Sequence, residues 1–155
     1  LDVSAVTYTL CQTYRQRFDD RGLKLTTHLP TEAPCDGDIG RLHQLCHNLL
    51  ENSLRYTRSP GKLHVSLSAV GDFWQLDFSD SAPGISERQR QHIFNRFYRA
   101  EHSRNRASGG SGLGLAICRA ITEAHHGCIE CHPSPLGGVT LRVLLPLTYG
   151  DTQDE

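Results

Sequence analysis

The chain has 155 residues, 37% hydrophobic and 21% charged, which is the composition of one globular domain and excludes a disordered or membrane-embedded chain. Sixteen basic side chains against seventeen acidic ones leave a net charge of −1, so the overall charge points to neither nucleic acid nor an anionic membrane as a partner. No window approaches the roughly eighteen apolar residues of a membrane span, the start lacks a secretory pattern, and a sequence without methionine, even at position 1, reads as a piece of a longer protein.

Apolar residues at helical spacing (Val3, Val6, Leu10, Tyr14, Phe18) predict a helix over residues 3–20, stopped by Gly22. Leu23 to Leu29 alternates as a strand, and Pro30 to Gly37 is a polar turn region. Asp38 is placed to cap a long helix running to about Thr57, with Leu42, Leu45, Cys46, Leu49, Leu50 and Ser53 as its core stripe and Ser59-Pro60-Gly61 as its end. Leu63, Val65, Leu67 and Ala69 alternate in one strand, Gly71-Asp72 turns the chain, and Trp74, Leu76 and Phe78 alternate in the next. Ser86 caps a helix expected to reach Phe94. Tyr98 to Gly112 offers almost nothing to bury and reads as a long functional loop. Leu113, Ile117, Ala120, Ile121 and Ala124 then mark another helix, and strands follow near Cys128–His132 and Val139–Leu145. No linker splits the chain, so residues 1–155 are expected to form one domain with a tail from about residue 148. The order of elements fits an α/β two-layer sandwich, a mixed sheet with helices on one face.

Six cysteines are too sparse for a disulfide scaffold and are expected as reduced thiols. Cys128-Ile-Glu-Cys131 with its neighbouring histidines has the composition of a metal cluster, but residues three apart on a strand point to opposite faces and no second pair completes a zinc site. Six arginines between Arg88 and Arg106 lead into a glycine cluster, which favours phosphate or an acidic partner over a merely solvated face.

Three groups of residues carry chemistry. On the helix after Asp38, Asn48, Asn52 and Arg55 stand at i, i+4 and i+7 and form one polar strip beside the apolar one. Amide oxygens are hard ligands suited to Mg2+, and a guanidinium suits phosphate; solvated surface is the bland alternative. In the second hairpin strand, the buried parity of Trp74, Leu76 and Phe78 continues onto Asp80, either a turn-initiating residue or an acceptor on the wall of an apolar pocket, placed for an exocyclic amine. Gly109-Gly110-Ser111-Gly112-Leu113-Gly114-Leu115 opens a helix, where exposed amides and the positive helix end suit an anion. Neither a Walker lysine nor a preceding Rossmann strand accompanies these glycines.

Together these segments resemble the motif boxes of sensor histidine kinases. Asn48-Leu-Leu-Glu-Asn52-Ser-Leu-Arg55-Tyr56-Thr57 is similar to their N box, and Asp80-Ser-Ala-Pro-Gly84-Ile85 to their first glycine box. Ile93-Phe94-Asn-Arg-Phe97-Tyr98-Arg99 resembles their F box, Gly110-Ser-Gly112-Leu113-Gly114-Leu115 the second glycine box, and Gly137-Gly138-Val-Thr140 the last. The likeness covers nearly the whole chain, and Asp80–Gly84 with Ser103–Gly112 look most like envelope-stress members. It implies the Bergerat ATP-binding fold, with ATP and Mg2+ held under a lid. It further implies that Asp80 accepts from the adenine amino group, that Asn48 and Asn52 hold magnesium, and that Arg55 with Arg99 or Arg104 meets phosphate. Tyr56 and Ile85 would line the base pocket, the amides from Gly112 to Leu115 would meet the phosphate tail, and Gly84, Phe97, Gly110 and Thr140 would complete the nucleotide site. Ala82 stands where the family usually has glycine.

Relatives of this fold that hydrolyse ATP, such as gyrase B, MutL and the heat-shock chaperones, place a glutamate where this chain has Asn48. An amide cannot act as a general base. The acceptor is therefore expected to be a histidine on an upstream dimerisation domain, since no phosphoacceptor motif surrounds any of the nine histidines. The partners so implied are that domain, a response regulator and a second copy of the full protein, with no nucleic acid and no membrane contact by this piece, in the cytoplasmic part of an inner-membrane sensor. The alternatives are an anti-sigma serine kinase of the same fold and a non-catalytic nucleotide-sensing or metal-binding module.

Overall fold

A computed structural model describes residues 1–96, 98 and 113–147. Helix α1 spans Val3–Asp20, capped by Asp2, whose carboxylate accepts from Ser4 and Ala5, and it ends before Gly22, whose φ of 73° is open to glycine. Strand β1 is Leu23–His28, and α2 is Ile39–Tyr56, with the Asp38 carboxylate accepting from the Arg41 N–H. The hairpin β2 (Gly61–Val70) and β3 (Phe73–Ser81) turns at Gly71, followed by α3 (Glu87–Arg90), α4 (Gly114–Ala124), β4 (Cys128–Pro133) and β5 (Gly137–Pro146).

The sheet runs β1-β2-β3-β5-β4. β1 and β2 are parallel, which the α2 crossover between them requires, and the other pairs are antiparallel. Alternate residues Leu63, Val65, Leu67, Leu76, Phe78, Leu141, Val143 and Leu145 are buried beneath the helices together with Phe18, Leu45, Leu49 and Ile121. The other face carries polar side chains, including the bidentate Arg142–Asp77 pair at 2.9 and 3.1 Å. This is the expected sandwich with a mixed sheet.

Two helical expectations change. α3 ends at Arg90 rather than Phe94, and the chain continues through tighter turns in which His92 and Asn95 N–H groups donate to carbonyls three residues back. Those turns still bury Ile93 and Phe94, so the segment packs on the core although the helix ends sooner. On α4 the buried positions are Cys118, Ile121 and Thr122, while Ile117, Ala120 and Ala124 are exposed. Thr122 can be buried because its hydroxyl donates to its own helix, to the Cys118 carbonyl at 2.8 Å.

Candidate nucleotide site

Asp80 closes the buried row of β3 and is only 8% exposed. One carboxylate oxygen accepts the Val139 N–H at 2.7 Å, and the other has no donor among the described residues. Burial pushes the carboxyl up to about 7, against the opposing pull of the Val139 N–H and the neighbouring Thr57 hydroxyl. That hydroxyl is itself buried and closes no hydrogen bond. A buried acceptor with a free oxygen is suited to an incoming donor.

The last glycine box exists to let β5 approach this carboxylate. A Cβ on Gly138 would overlap both the Ser81 carbonyl and Asp80 Oδ1. Gly84 stands against the same strand, a Cβ there lying 3.3 Å from the Gly137 carbonyl, so the first and last glycine boxes meet. Beside Gly84, half-buried Ile85 packs on the core, and its carbonyl accepts from Arg90 Nη1 at 3.0 Å. Ala82, the residue in place of a glycine, has its carbonyl bound by the Arg58 N–H at 2.9 Å.

Helix α2 brings the N box to this place. Its last turn ends at Thr57 beside Asp80, and Asn48 lies next to Cys118 on α4. Asn48, Asn52 and Tyr56 are half-buried, Arg55 is exposed, and the Asn52 amide has no partner among the described residues. Two amide oxygens one turn apart on a half-buried edge are a donor set that fits Mg2+, which keeps several waters and takes only a few protein ligands. At the start of α4, no side chain caps the helix; half-buried Leu113 precedes Gly114, and Leu115 packs on the core. Among the described residues no side chain takes the first amides of α4, the groups a helix start offers to an anion.

Thr140 does not join the group. It is paired with Ser79 across the sheet, and its hydroxyl bonds to Ser79 Oγ at 2.7 Å on the face opposite Asp80. β5 contributes a backbone donor, Val139, in its place. Phe97, Arg99, Arg104, Gly110 and Gly112 lie outside the described residues. Three neighbours of Asp80 to which the sequence analysis gives no role are Thr57, the Val139 N–H and Cys131, a partly buried thiol on the helix side of β4 whose pKa is raised by burial and by nearby Asp80 and lowered by Arg90. Cys128 is exposed on the other face, and no cluster of three metal-binding side chains occurs among the described residues.

Comparison with known proteins fits this geometry. The chain is 58% identical over 134 residues to the signal transduction histidine-protein kinase BaeS of Escherichia coli strain K12, covering 86% of this chain and 29% of that protein. It is 43% identical to the sensor protein SphS of Synechococcus elongatus, over 76% of this chain and 30% of that one. It therefore spans under a third of the length of these relatives. The mycobacterial sensor histidine kinase MprB superimposes with a TM-score of 0.84 at 25% identity, covering 95% of this chain and 97% of that one. Residues 37–149 match the family model described as histidine kinase-, DNA gyrase B- and HSP90-like ATPase, and the chain belongs to that family.

Proposed function

We propose that this domain binds ATP with Mg2+ and donates the γ-phosphoryl group to a histidine on a separate dimerisation domain of the same sensor protein, from which a response regulator receives it. The observation that carries this reading is the buried Asp80 carboxylate, with one oxygen lacking a donor among the described residues, one strand end from the N-box edge of α2. Asp80 accepts the adenine amino group, and Tyr56 and Ile85 flank the base. Asn48 and Asn52 are the residues that would hold the metal ion, which when bound neutralises phosphate charge. Arg55 and the amides at the start of α4 meet the phosphate tail. Because position 48 is an amide, water has no general base there, and transfer relies on positioning and electrostatics. The similarity to BaeS and SphS supports the sensor-kinase setting, in which this piece would be the cytoplasmic catalytic part of a membrane-anchored dimer. None of the helices among the described residues is long and apolar enough to cross a membrane.

The chain alone is expected to bind ADP and ATP in calorimetric titration with magnesium while forming no acid-labile phosphate. Acid-labile phosphate on the isolated chain would overturn the separation of donor and acceptor. Asp80→Asn is expected to weaken adenine nucleotides by about 10- to 100-fold, since an amide can present a donor to the adenine donor and leave a buried group unpaired at about 1–3 kcal/mol.

The same carboxylate gives the pH dependence. Its folded pKa of about 7 lies above the ordinary aspartate value of 3.8, so the folded state binds the proton more tightly. Asp80 therefore favours folding most below about pH 4, and that contribution, at most about 4 kcal/mol, is lost as pH rises to about 7. Nucleotide binding runs the other way, because the adenine amine needs the ionised acceptor. ADP affinity is expected to fall by roughly tenfold between pH 8 and pH 6 in the wild type and to stay nearly flat in Asp80→Asn.

A further inference from the structure

The match to the family model begins at residue 37, so α1 carries none of its residues. Yet polar side chains of α1 and its C-cap reach across to α2 along much of its length. Tyr14 is 3% exposed, and its hydroxyl lies 2.7 Å from Glu51 Oε2 and 2.8 Å from His47 Nδ1. The hydroxyl has one proton, which goes to the carboxylate, so His47 must donate from Nδ1. Arg17 donates to both Glu51 oxygens, at 2.7 and 3.4 Å, and its guanidinium lies 4.9 Å from the centre of the Tyr14 ring. At the end of α1, Arg21 donates to the carbonyls of Leu54 and Thr57.

The gripped residues are not arbitrary. His47 and Glu51 immediately precede Asn48 and Asn52, and Leu54 immediately precedes Arg55. Successive residues on a helix are about 100° apart, so holding 47 and 51 toward α1 sets the direction in which 48 and 52 point. The leucines under α2 would tolerate a small roll of the helix, but a directional hydrogen-bond network does not. Magnesium tolerates it least, because it demands near-ideal octahedral geometry.

We propose that Tyr14, Arg17 and Arg21 are positioning residues: α1 with its C-cap is a polar splint that fixes the rotation of α2 and so aims the Asn48 and Asn52 amides at the nucleotide's metal ion. This rests on the magnesium-nucleotide reading above. The test is calorimetric titration of ADP into the whole chain, once with EDTA and once with saturating Mg2+, alongside thermal melting. Wild type should bind ADP more tightly with magnesium. Tyr14→Phe and Glu51→Gln should keep metal-free ADP affinity within about twofold while the gain from magnesium shrinks by about fivefold or more. Arg17→Lys, which leaves a cation on Glu51, should lose less of that gain than Arg17→Gln. Arg17 is 54% exposed, so these two variants carry the test if Tyr14→Phe does not fold. A folded Tyr14→Phe or Arg17→Gln with an intact magnesium gain, or one that loses both affinities equally, overturns the splint and leaves α1 as packing. A wild type that binds ADP with no gain from magnesium overturns the metal assignment, and one that binds no ADP overturns the proposed function itself.

Discussion

Gly138→Ala is expected to lower ADP affinity by about 100-fold or more, through a methyl group that never touches the nucleotide. The added Cβ would overlap the Ser81 carbonyl and Asp80 Oδ1, and the first of these is backbone in a paired strand. β5 is hydrogen-bonded to β3 on one side and β4 on the other, so it cannot step back without breaking a ladder. The remaining escape is to push Asp80 away from Val139, which breaks the 2.7 Å bond and turns the carboxylate off the pocket wall. Overpacking of this kind costs about 1–3 kcal/mol of stability, so a lowered melting temperature should accompany the lost affinity. Gly71→Ala is the control. Gly71 has φ of 60° in the β2-β3 turn with nothing near its missing Cβ, so alanine there carries left-handed strain of about 1 kcal/mol without disturbing the site. Equal ADP affinity in wild type and Gly138→Ala would remove Asp80 from the base pocket.

The parity argument that found Asp80 shows how much of the site was legible. Trp74, Leu76 and Phe78 alternate inward and Asp80 falls on the same side, where the structure places it, almost wholly buried. The same counting on β5 from Leu141, Val143 and Leu145 puts Val139 on the side of Asp80 and Thr140 opposite, so the exclusion of Thr140 was also present in the sequence. A motif position outweighed it. The Val139 N–H was not legible, because every residue but proline offers that donor and only the register beside the bulge at Ser79–Ser81 selects this one. Long elements with a repeated apolar stripe, such as α1 and α2, announced themselves within about a residue at each end. The buried stripe on α4 differs from the apolar one for a plain reason: Cys118 and Thr122 can take buried positions, because a thiol behaves as a small hydrophobe and a threonine can satisfy its hydroxyl on its own helix. The apolar stripe of α1 likewise accounts for Tyr14 as a core residue and does not reveal that its hydroxyl meets Glu51, 37 residues later in the sequence, across the helix interface.

Asn52→Ala should separate folding from function most sharply. Asn52 is half-buried on the polar edge of α2, makes no hydrogen bond to a described residue, and stands apart from the leucine stripe that packs the core. Alanine is also the better helix former, so the helix loses nothing by the exchange. Stability should therefore change by no more than about 0.5 kcal/mol, the range of ordinary surface substitutions. Metal-dependent behaviour should change far more. Removing one hard ligand from an ion with few protein ligands is expected to cost about 100-fold in magnesium-dependent ATP affinity, and phosphotransfer to a supplied acceptor domain should fall with it. Metal-free ADP affinity should stay near wild type, because Asp80 and the base pocket are untouched. This last measurement decides between causes: a general distortion of α2 would carry Thr57 with it and weaken the base pocket beside Asp80 as well. An Asn52→Ala protein that melts like wild type and transfers phosphate at the wild-type rate would show that the amide holds no metal ion, and one that unfolds would make Asn52 a structural residue of α2.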